Sequence, residues 1–436
     1  MTAAQALTLL VLVAVVAALI MDRARSDVVA LTGAAVLLAA GVVRPVEVQA
    51  AFASPAILAL ASLFVIAYAM ELAGLLDSAI DRLRALCERI GRAGLWLMIA
   101  LCGGASAFLN NTPIVVLAAP VVRDVAQSLG FSAKRFLIPL SYAAVLGGSC
   151  TLIGTSTNLL VNDMASLAGQ PRFTMFEITP VGVSVALAGG AYLLLFSRFL
   201  VRGDDADDIE HSAAERMKEP GLAGGQIGTA AAFAERRPLQ RLKAAAALIV
   251  FVTVVAVAAW GAAPIAAAAF AGAVLLILLR VITADEAYQG LRPDVLMLIA
   301  GMVVLGIALE ETGLAQSATN VMIGSLDGMS PLLALILLYG ATLFATEILS
   351  NATVAVLFTP LAVSVAEAMS VSPRPFLVAV MIAGSAAFAT PFGYQTNVLV
   401  YRMGGYNYMD FVRLGIPLNL LTWVVAVFAI HASFPF

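Results

Sequence analysis

The sequence predicts an all-α polytopic membrane protein made of two inverted repeats, each with five transmembrane spans and one re-entrant hairpin. Three observations lead there. Hydrophobic residues make up 62% of the 436 and charged residues 12%, with a mean hydropathy of +0.99; a soluble domain carries about 25% charged residues. An unusual polar pattern occurs twice, 239 or 240 positions apart. Basic residues concentrate on alternate loops in a way that supports re-entrant hairpins over full spans.

The spans run in order. The first half predicts 4–21, 27–43, 55–75, a broken segment at 94–122, another at 136–167, and 178–200. The second predicts 244–262, 264–282, 293–313, a broken segment at 331–370, another at 375–401, and 412–434. Most approach or exceed the roughly 20 apolar residues a membrane helix needs. No short alternating segments with regular turns suggest an outer-membrane barrel. Residues 4–21 have no Lys or Arg before them, so they read as a first span rather than a signal peptide. Residues 76–92 are amphipathic, with Leu76, Ile80, Leu83 and Leu86 set against Asp77, Asp81, Arg84 and Arg92; they read as an interfacial helix leading into the first hairpin. Residues 1–200 form the first repeat and 244–436 the second. The polar stretch 201–243, with Asp204, Asp205, Asp207 and Asp208, reads as a solvated cytoplasmic linker.

The doubled pattern is specific. Asn110-Asn111-Thr112-Pro113 and Gly154-Thr155-Ser156-Thr157-Asn158 occur in the first half. Ser350-Asn351-Ala352-Thr353 and Gly393-Tyr394-Gln395-Thr396-Asn397 answer them in the second. Glu71-Leu72-Ala73-Gly74-Leu75 likewise faces Glu310-Glu311-Thr312-Gly313-Leu314. Gly, Pro and amide residues inside apolar stretches interrupt helices. Lipid tolerates the freed backbone only where protein or a watery cavity satisfies it. Broken segments in matching places of two repeats point to a transporter's binding site.

Charge sets the orientation. If each Asn-Thr segment enters and leaves on one side, 21 of the 24 Lys and Arg share one face; only Arg44, Arg172 and Arg374 lie on the other. The positive-inside rule makes the rich face cytoplasmic. Were 94–122 a full crossing, the basic clusters at 82–92 and 123–135 would lie on opposite faces. Five crossings per half is odd, so the second half starts on the opposite side. The first hairpin then enters from the cytoplasm and the second from outside, and their tips meet near the midplane.

The polar groups at these breaks suit ions. Ser106, Asn110, Asn111 and Thr112 lie at the first tip, and Thr346, Ser350, Asn351 and Thr353 at the second. Hydroxyls, amide N–H groups and helix N-termini can hold an anion without a fixed counter-charge. Side-chain and backbone carbonyl oxygens can coordinate a small hard cation. Pro113 fits just inside the start of a helix. Ser, Thr and Asn also serve as packing glue or caps in membranes; four motifs repeated in order favour a site. Two roles stay open for Glu347, proton coupling or a structural bond to backbone N–H. Glu71, Glu310 and Glu311 read as span ends.

Other classes find little support. No basic stripe suggests nucleic acid. Cys87, Cys102 and Cys150 lack metal-ligand spacing, and His211 and His431 are far apart. There is no His-Glu-x-x-His pair, Gly-x-Ser-x-Gly elbow or phosphate-binding loop, so no catalytic site or enzymatic cofactor is expected.

At Thr151-Leu152-Ile153-Gly154-Thr155-Ser156-Thr157-Asn158, at Ala389-Thr390-Pro391-Phe392-Gly393-Tyr394-Gln395-Thr396-Asn397 and at the paired Asn tips, the chain resembles the divalent anion:sodium symporter family of the ion transporter superfamily, its sulfate-permease branch most of all. The resemblance covers nearly the whole length. It implies an inverted-repeat homodimer in which a transport domain moves as an elevator against a scaffold, carrying sulfate or di- and tricarboxylates with sodium. The family's two Ser-Asn-Thr motifs fall on Asn110-Asn111-Thr112 and Ser350-Asn351-Ala352. The first departs at its Ser and the second at its Thr, with Thr353 one step on. By this resemblance the sodium sites comprise Ser106, Asn111, Gly154 and Asn158, and Thr346, Asn351, Gly393 and Asn397. Asn110, Asn111, Thr112, Ser156, Ser350, Asn351, Thr353 and Gln395 contact the anion. Ser156 and Gln395 stand where carboxylate transporters often have proline, and donors there suit a tetrahedral oxyanion. The expectation is a symporter of a divalent oxyanion, sulfate first, coupled to sodium or protons. The alternatives are a dicarboxylate or citrate symporter, and an arsenite- or proton-linked antiporter on the same fold. It is expected in a bacterial inner membrane with both termini outside, in contact with lipid and no nucleic acid.

Overall fold

A computed structural model describes residues 2–21, 24–200, 237–314, 317 and 329–436. These residues form nineteen helices and no strand. In the first half they are α1 (Ala3–Met21), α2 (Ser26–Ala39), α3 (Pro45–Phe52), α4 (Pro55–Leu72), α5 (Leu75–Ile90), α6 (Arg92–Ser106), α7 (Asn111–Ser128), α8 (Lys134–Gly148), α9 (Ser156–Leu167) and α10 (Thr179–Leu200). In the second they are α11 (Arg241–Ala259), α12 (Ile265–Leu278), α13 (Ala284–Gly290), α14 (Pro293–Glu311), α15 (Pro331–Thr346), α16 (Asn351–Ala368), α17 (Arg374–Ala383), α18 (Gln395–Gly404) and α19 (Tyr408–Ser433). Six helical stretches among the described residues are long and apolar enough to cross a membrane.

The two series correspond. α1 to α4 and α6 to α9 begin 238–240 residues before α11 to α18. Packing is reciprocal as well. α2 lies on α14 while α4 lies on α12; α9 lies on α16 and α17 while α18 lies on α7 and α8; α10 pairs with α19. α8 and α17 are the innermost elements, with Phe136 to Leu140 and Phe376 to Ala383 almost wholly buried. Lipid supplies no hydrophobic drive between helices, so tight packing comes from small residues. A Cβ on Gly147 would sit 1.9 Å from the Gly103 carbonyl, and one on Gly301 would sit 2.8 Å from the Ala30 backbone. α6 and α8, and α2 and α14, therefore approach almost backbone to backbone.

Each expected break is present. α6 ends at Ser106 and α7 begins at Asn111; α15 ends at Thr346 and α16 begins at Asn351. The Asn110 side chain caps α7 by accepting from Thr112 N at 3.3 Å, and Ser350 caps α16 by accepting from Thr353 N at 3.3 Å. Non-helical segments of turns and bends, 149–155 and 384–394, interrupt the other pair of spans. The amphipathic stretch forms α5, and its counterpart in the second half falls largely outside the described residues.

Two features differ from expectation. α3 and α13 are short helices where no element was expected. Each is too short to read as a span, and each begins on local chemistry, Pro45 in the first turn of α3 and a Thr283–Glu286 capping box at α13. Residues 201–236 of the expected linker lie outside the described residues. Its last three, Arg241 to Lys243, belong to α11. Gln240 N donates to Ala73 O at 3.0 Å, which anchors this end on the turn after α4.

Candidate ion and substrate site

The four polar breaks converge. A cavity of about 420 Å³ is lined by Asn110 and Thr112 from the first tip, Ile348 to Ala352 from the second, Ser156 and Thr157 from the start of α9, and Gly393 to Gln395 from the start of α18. Four helices thus present their N-terminal ends to one space. Each end carries unpaired N–H groups and about half a positive charge, so the space attracts anions. Hydrogen bonds tie the first tip to the opposite break. Asn111 Nδ2 donates to the Tyr394 hydroxyl at 2.8 Å, and Thr112 Oγ1 donates to Gln395 Oε1 at 3.4 Å.

Behind the first tip lies a nest of oxygens. Ser106 Oγ donates to Asn111 Oδ1, and Thr151 Oγ1 donates to the Ala107 carbonyl. A Cβ on Gly154 would sit 2.4 Å from Gly148 O and 2.8 Å from Ala107 O. Only the missing side chain lets these two carbonyls come so close. Asn158 Nδ2 donates to Thr151 O at 3.0 Å, while its buried Oδ1 has no partner among the described residues. A buried acceptor without a donor costs about 1–3 kcal/mol. An oxygen-lined nest with a spare acceptor is the donor set a sodium ion takes.

The second break is similar in plan and different in detail. Thr346 Oγ1 bridges Asn351 Oδ1 at 3.0 Å and Gly384 O at 2.8 Å. Asn397 Nδ2 reaches Ala387 O at 2.9 Å, and its Oδ1 accepts from Ser141 at 2.7 Å. Ser385 Oγ is buried and unpartnered among the described residues. Glu347 braces this side. Its carboxylate accepts from Ala389 N at 2.7 Å, Thr390 N at 2.9 Å and Asn419 Nδ2 at 2.7 Å. Of the two roles open for it, the geometry realises the bond to backbone N–H.

Of the residues expected to touch an anion, Asn110, Thr112, Ser156, Ser350, Asn351 and Gln395 line the cavity. Asn111 and Thr353 do not. Asn111 is almost fully buried behind the tip between Ser106 and Tyr394, where it faces the oxygen nest. Thr353 is fully buried; its N–H donates to Ser350 and the two hydroxyls are 2.7 Å apart. A side chain three residues past a cap turns back onto it. Ser106, Asn158, Thr346 and Asn397 are buried behind the breaks, while Gly393 borders the cavity.

Two residues escaped the sequence reading. Tyr394 was visible as the one aromatic residue in a motif of small polar groups. Arg292 also lines the cavity, and its only signal was a cation immediately before a helix-starting Pro. It borders as well a second cavity of about 430 Å³, lined by Tyr68, Glu71, Leu76, Asp294, Val398 and Arg402 among others.

With this geometry in view, comparison with known proteins is decisive at the family level. The citrate transporter family profile matches residues 16–383 and, in a second match, 330–436. The chain belongs to the citrate transporter family. It is 25% identical to the uncharacterized transporter sll0640 of Synechocystis, with 95% of each chain covered. It is 25% identical to the sodium-dependent dicarboxylate transporter SdcS of Staphylococcus saprophyticus, covering 92% of this chain and 80% of that one. A stretch of 108 residues, 23% of this chain and 12% of the relative, is 46% identical to the probable sodium/sulfate cotransporter 3 of Chlamydomonas reinhardtii. The fold matches the Alcanivorax borkumensis YdaH transporter with a TM-score of 0.61 at 14% identity, covering 88% of this chain and 86% of that one. The citrate transporter family and these relatives are transporters, not enzymes. The protein is accordingly a multi-pass membrane transporter.

Proposed function

We propose that the protein is a secondary active symporter carrying a divalent oxyanion, sulfate first, with sodium or protons as the coupling ion. The carrying observation is the convergence of four helix N-termini on one hydroxyl- and amide-lined cavity, backed by an oxygen nest behind the first tip. N-terminal dipoles and neutral donors bind an anion and let it go. Sodium at the oxygen nest would hold Asn111 and the Gly154 loop in place, which couples cation binding to the shape of the anion site. The sodium/sulfate and sodium-dependent dicarboxylate relatives support sodium as the partner ion.

In this reading the halves are inverted repeats, the Asn tips are re-entrant hairpins, and the protein works as an elevator homodimer in a bacterial inner membrane. Sidedness implied by charge is consistent with the contacts. Arg44 lies 3.9 Å from Glu311 and Gln5 donates to Thr312 O, all on the expected outer face. Arg374 pairs with Glu177 and donates to Pro171 O at 3.1 Å, again on that face. On the expected cytoplasmic face, Tyr406 donates to Lys134 O at 2.5 Å.

A di- or tricarboxylate is the second reading. The cavity of about 420 Å³ has room for more than a tetrahedral oxyanion, and the dicarboxylate relative covers almost the whole chain. Uptake of labelled sulfate into proteoliposomes under an imposed sodium gradient, in competition with succinate, citrate and thiosulfate, separates the two. Uptake indifferent to both sodium and proton gradients would remove the symport claim.

A further inference from the structure

We infer that Arg292 is a substrate contact, a fixed cation that receives the anion as it passes between the site cavity and the second cavity beside it. This inference rests on the anion-transport reading.

The position is locally unfavourable for arginine. Arg292 is the N-cap residue of α14, and no side-chain capping bond forms there. N-caps favour Ser, Thr, Asn and Asp, and a helix N-terminus disfavours positive charge. The matching position in the first half, before α4, is Ser54, which does cap its helix by accepting from Ile57 N at 3.3 Å. The repeat therefore uses a capping hydroxyl in one copy and gives it up for a guanidinium in the other. Helix formation does not account for the exchange.

The surroundings do. Among the described residues only Asn110, Thr112, Arg292 and Gln395 border both cavities, and of these four Arg292 alone is charged. Among the described residues the site cavity's lining has two that are charged, Arg292 and Glu347. The Glu347 carboxylate already accepts from three donors, so Arg292 is the charged group of that lining with donors left to offer an anion. The guanidinium is held in part by Asp294, Nη2 to Oδ2 at 3.3 Å, and its side chain is 21% exposed. Guanidinium has five donors in a planar fork, so a single bond to Asp294 leaves donors for an oxyanion. Gly290 fixes the backbone beneath it: a Cβ there would meet the Tyr68 ring at 2.7 Å, so α13 lies tightly on α4. The second cavity also carries Glu71, Asp294 and Arg402. Acids and bases share that lining, so an anion leaving Arg292 meets no uniformly positive surface that would trap it.

The test uses the full-length protein in proteoliposomes with 35S-sulfate and 14C-succinate as probes. Arg292→Gln is expected to raise KM for the transported anion about 10- to 100-fold, the loss of a charge-assisted bond. The sodium concentration for half-maximal uptake, measured at saturating anion, should stay unchanged, and Arg292→Lys should recover most of the KM. A purely structural role would depress turnover or stability in both variants without this rescue. Asp294→Asn, which releases the guanidinium, should lower KM; it decides the matter if Arg292→Gln fails to reconstitute. Wild-type KM in Arg292→Gln, or an unchanged or raised KM in Asp294→Asn, overturns the inference while leaving anion transport intact. If the wild-type protein takes up neither probe, the anion-transport reading falls, and this inference with it.

Discussion

Substituting Gly154 by Ala tests the oxygen nest most sharply. The added Cβ would lie 2.4 Å from Gly148 O and 2.8 Å from Ala107 O, whereas ordinary contact begins near 3.4 Å. Gly148 O must therefore retreat by about 1.0 Å and Ala107 O by about 0.6 Å. Neither can swing aside as a flexible side chain would, because both are backbone. Overpacking of this kind costs about 1–3 kcal/mol. If the cost falls on the ion-bound geometry, it raises the half-saturating sodium concentration by about 5- to 150-fold. The assay is the sodium dependence of anion uptake in proteoliposomes, with Gly190→Ala in α10 as control because a Cβ there meets nothing within 4 Å. A Gly154→Ala protein with wild-type sodium dependence and wild-type melting would refute the assignment of this loop to a cation.

Other outcomes follow from the same geometry. Asn111→Ala removes the acceptor for Ser106 and the donor to Tyr394, and Asn351→Ala removes the acceptor for Thr346; each should abolish uptake, and full activity in both would defeat the site assignment. Glu347→Gln turns an acceptor of three donors into a group with donors of its own, so thermal unfolding should shift down by an amount equivalent to about 1–3 kcal/mol; an unchanged melting temperature would show that the brace is dispensable. Cysteines placed at Arg92 and Lys134 should react with an impermeant thiol reagent from one side of the membrane, and cysteines at Arg172 and Arg374 from the other; labelling of positions 92 and 134 from opposite sides would make the first hairpin an ordinary crossing.

The breaks were legible because helix interruption in lipid has a strong signature. Asn110 and Ser350 announce caps, Pro113 marks a first turn, and Gly154 and Gly393 lie in the unwound loops. Which polar group faces which space was not legible. Asn110 and Asn111 are neighbours in the chain, yet one borders the cavity and the other points into the nest behind it. That division depends on the helix phase set by the cap and on Gly148, whose missing Cβ leaves room for the Asn111 amide. Thr353 looked like a displaced member of the tip motif, but its distance from the cap turns it onto Ser350. Arg292 belongs to no repeated pattern; its counterpart in the first half is Ser54. α3 and α13 were missed because hydropathy averages over windows longer than they are.

Helix exchange between the halves has a consequence for biogenesis. α2 finds its close neighbour in α14, and α4 finds its own in α12, so neither half possesses a finished interior. While the ribosome is still translating the second half, the first must wait in the bilayer with the surfaces meant for α12 and α14 facing lipid. Severing the gene within the segment before α11 should therefore yield two fragments that are each rapidly degraded when made singly and mutually protected when made together.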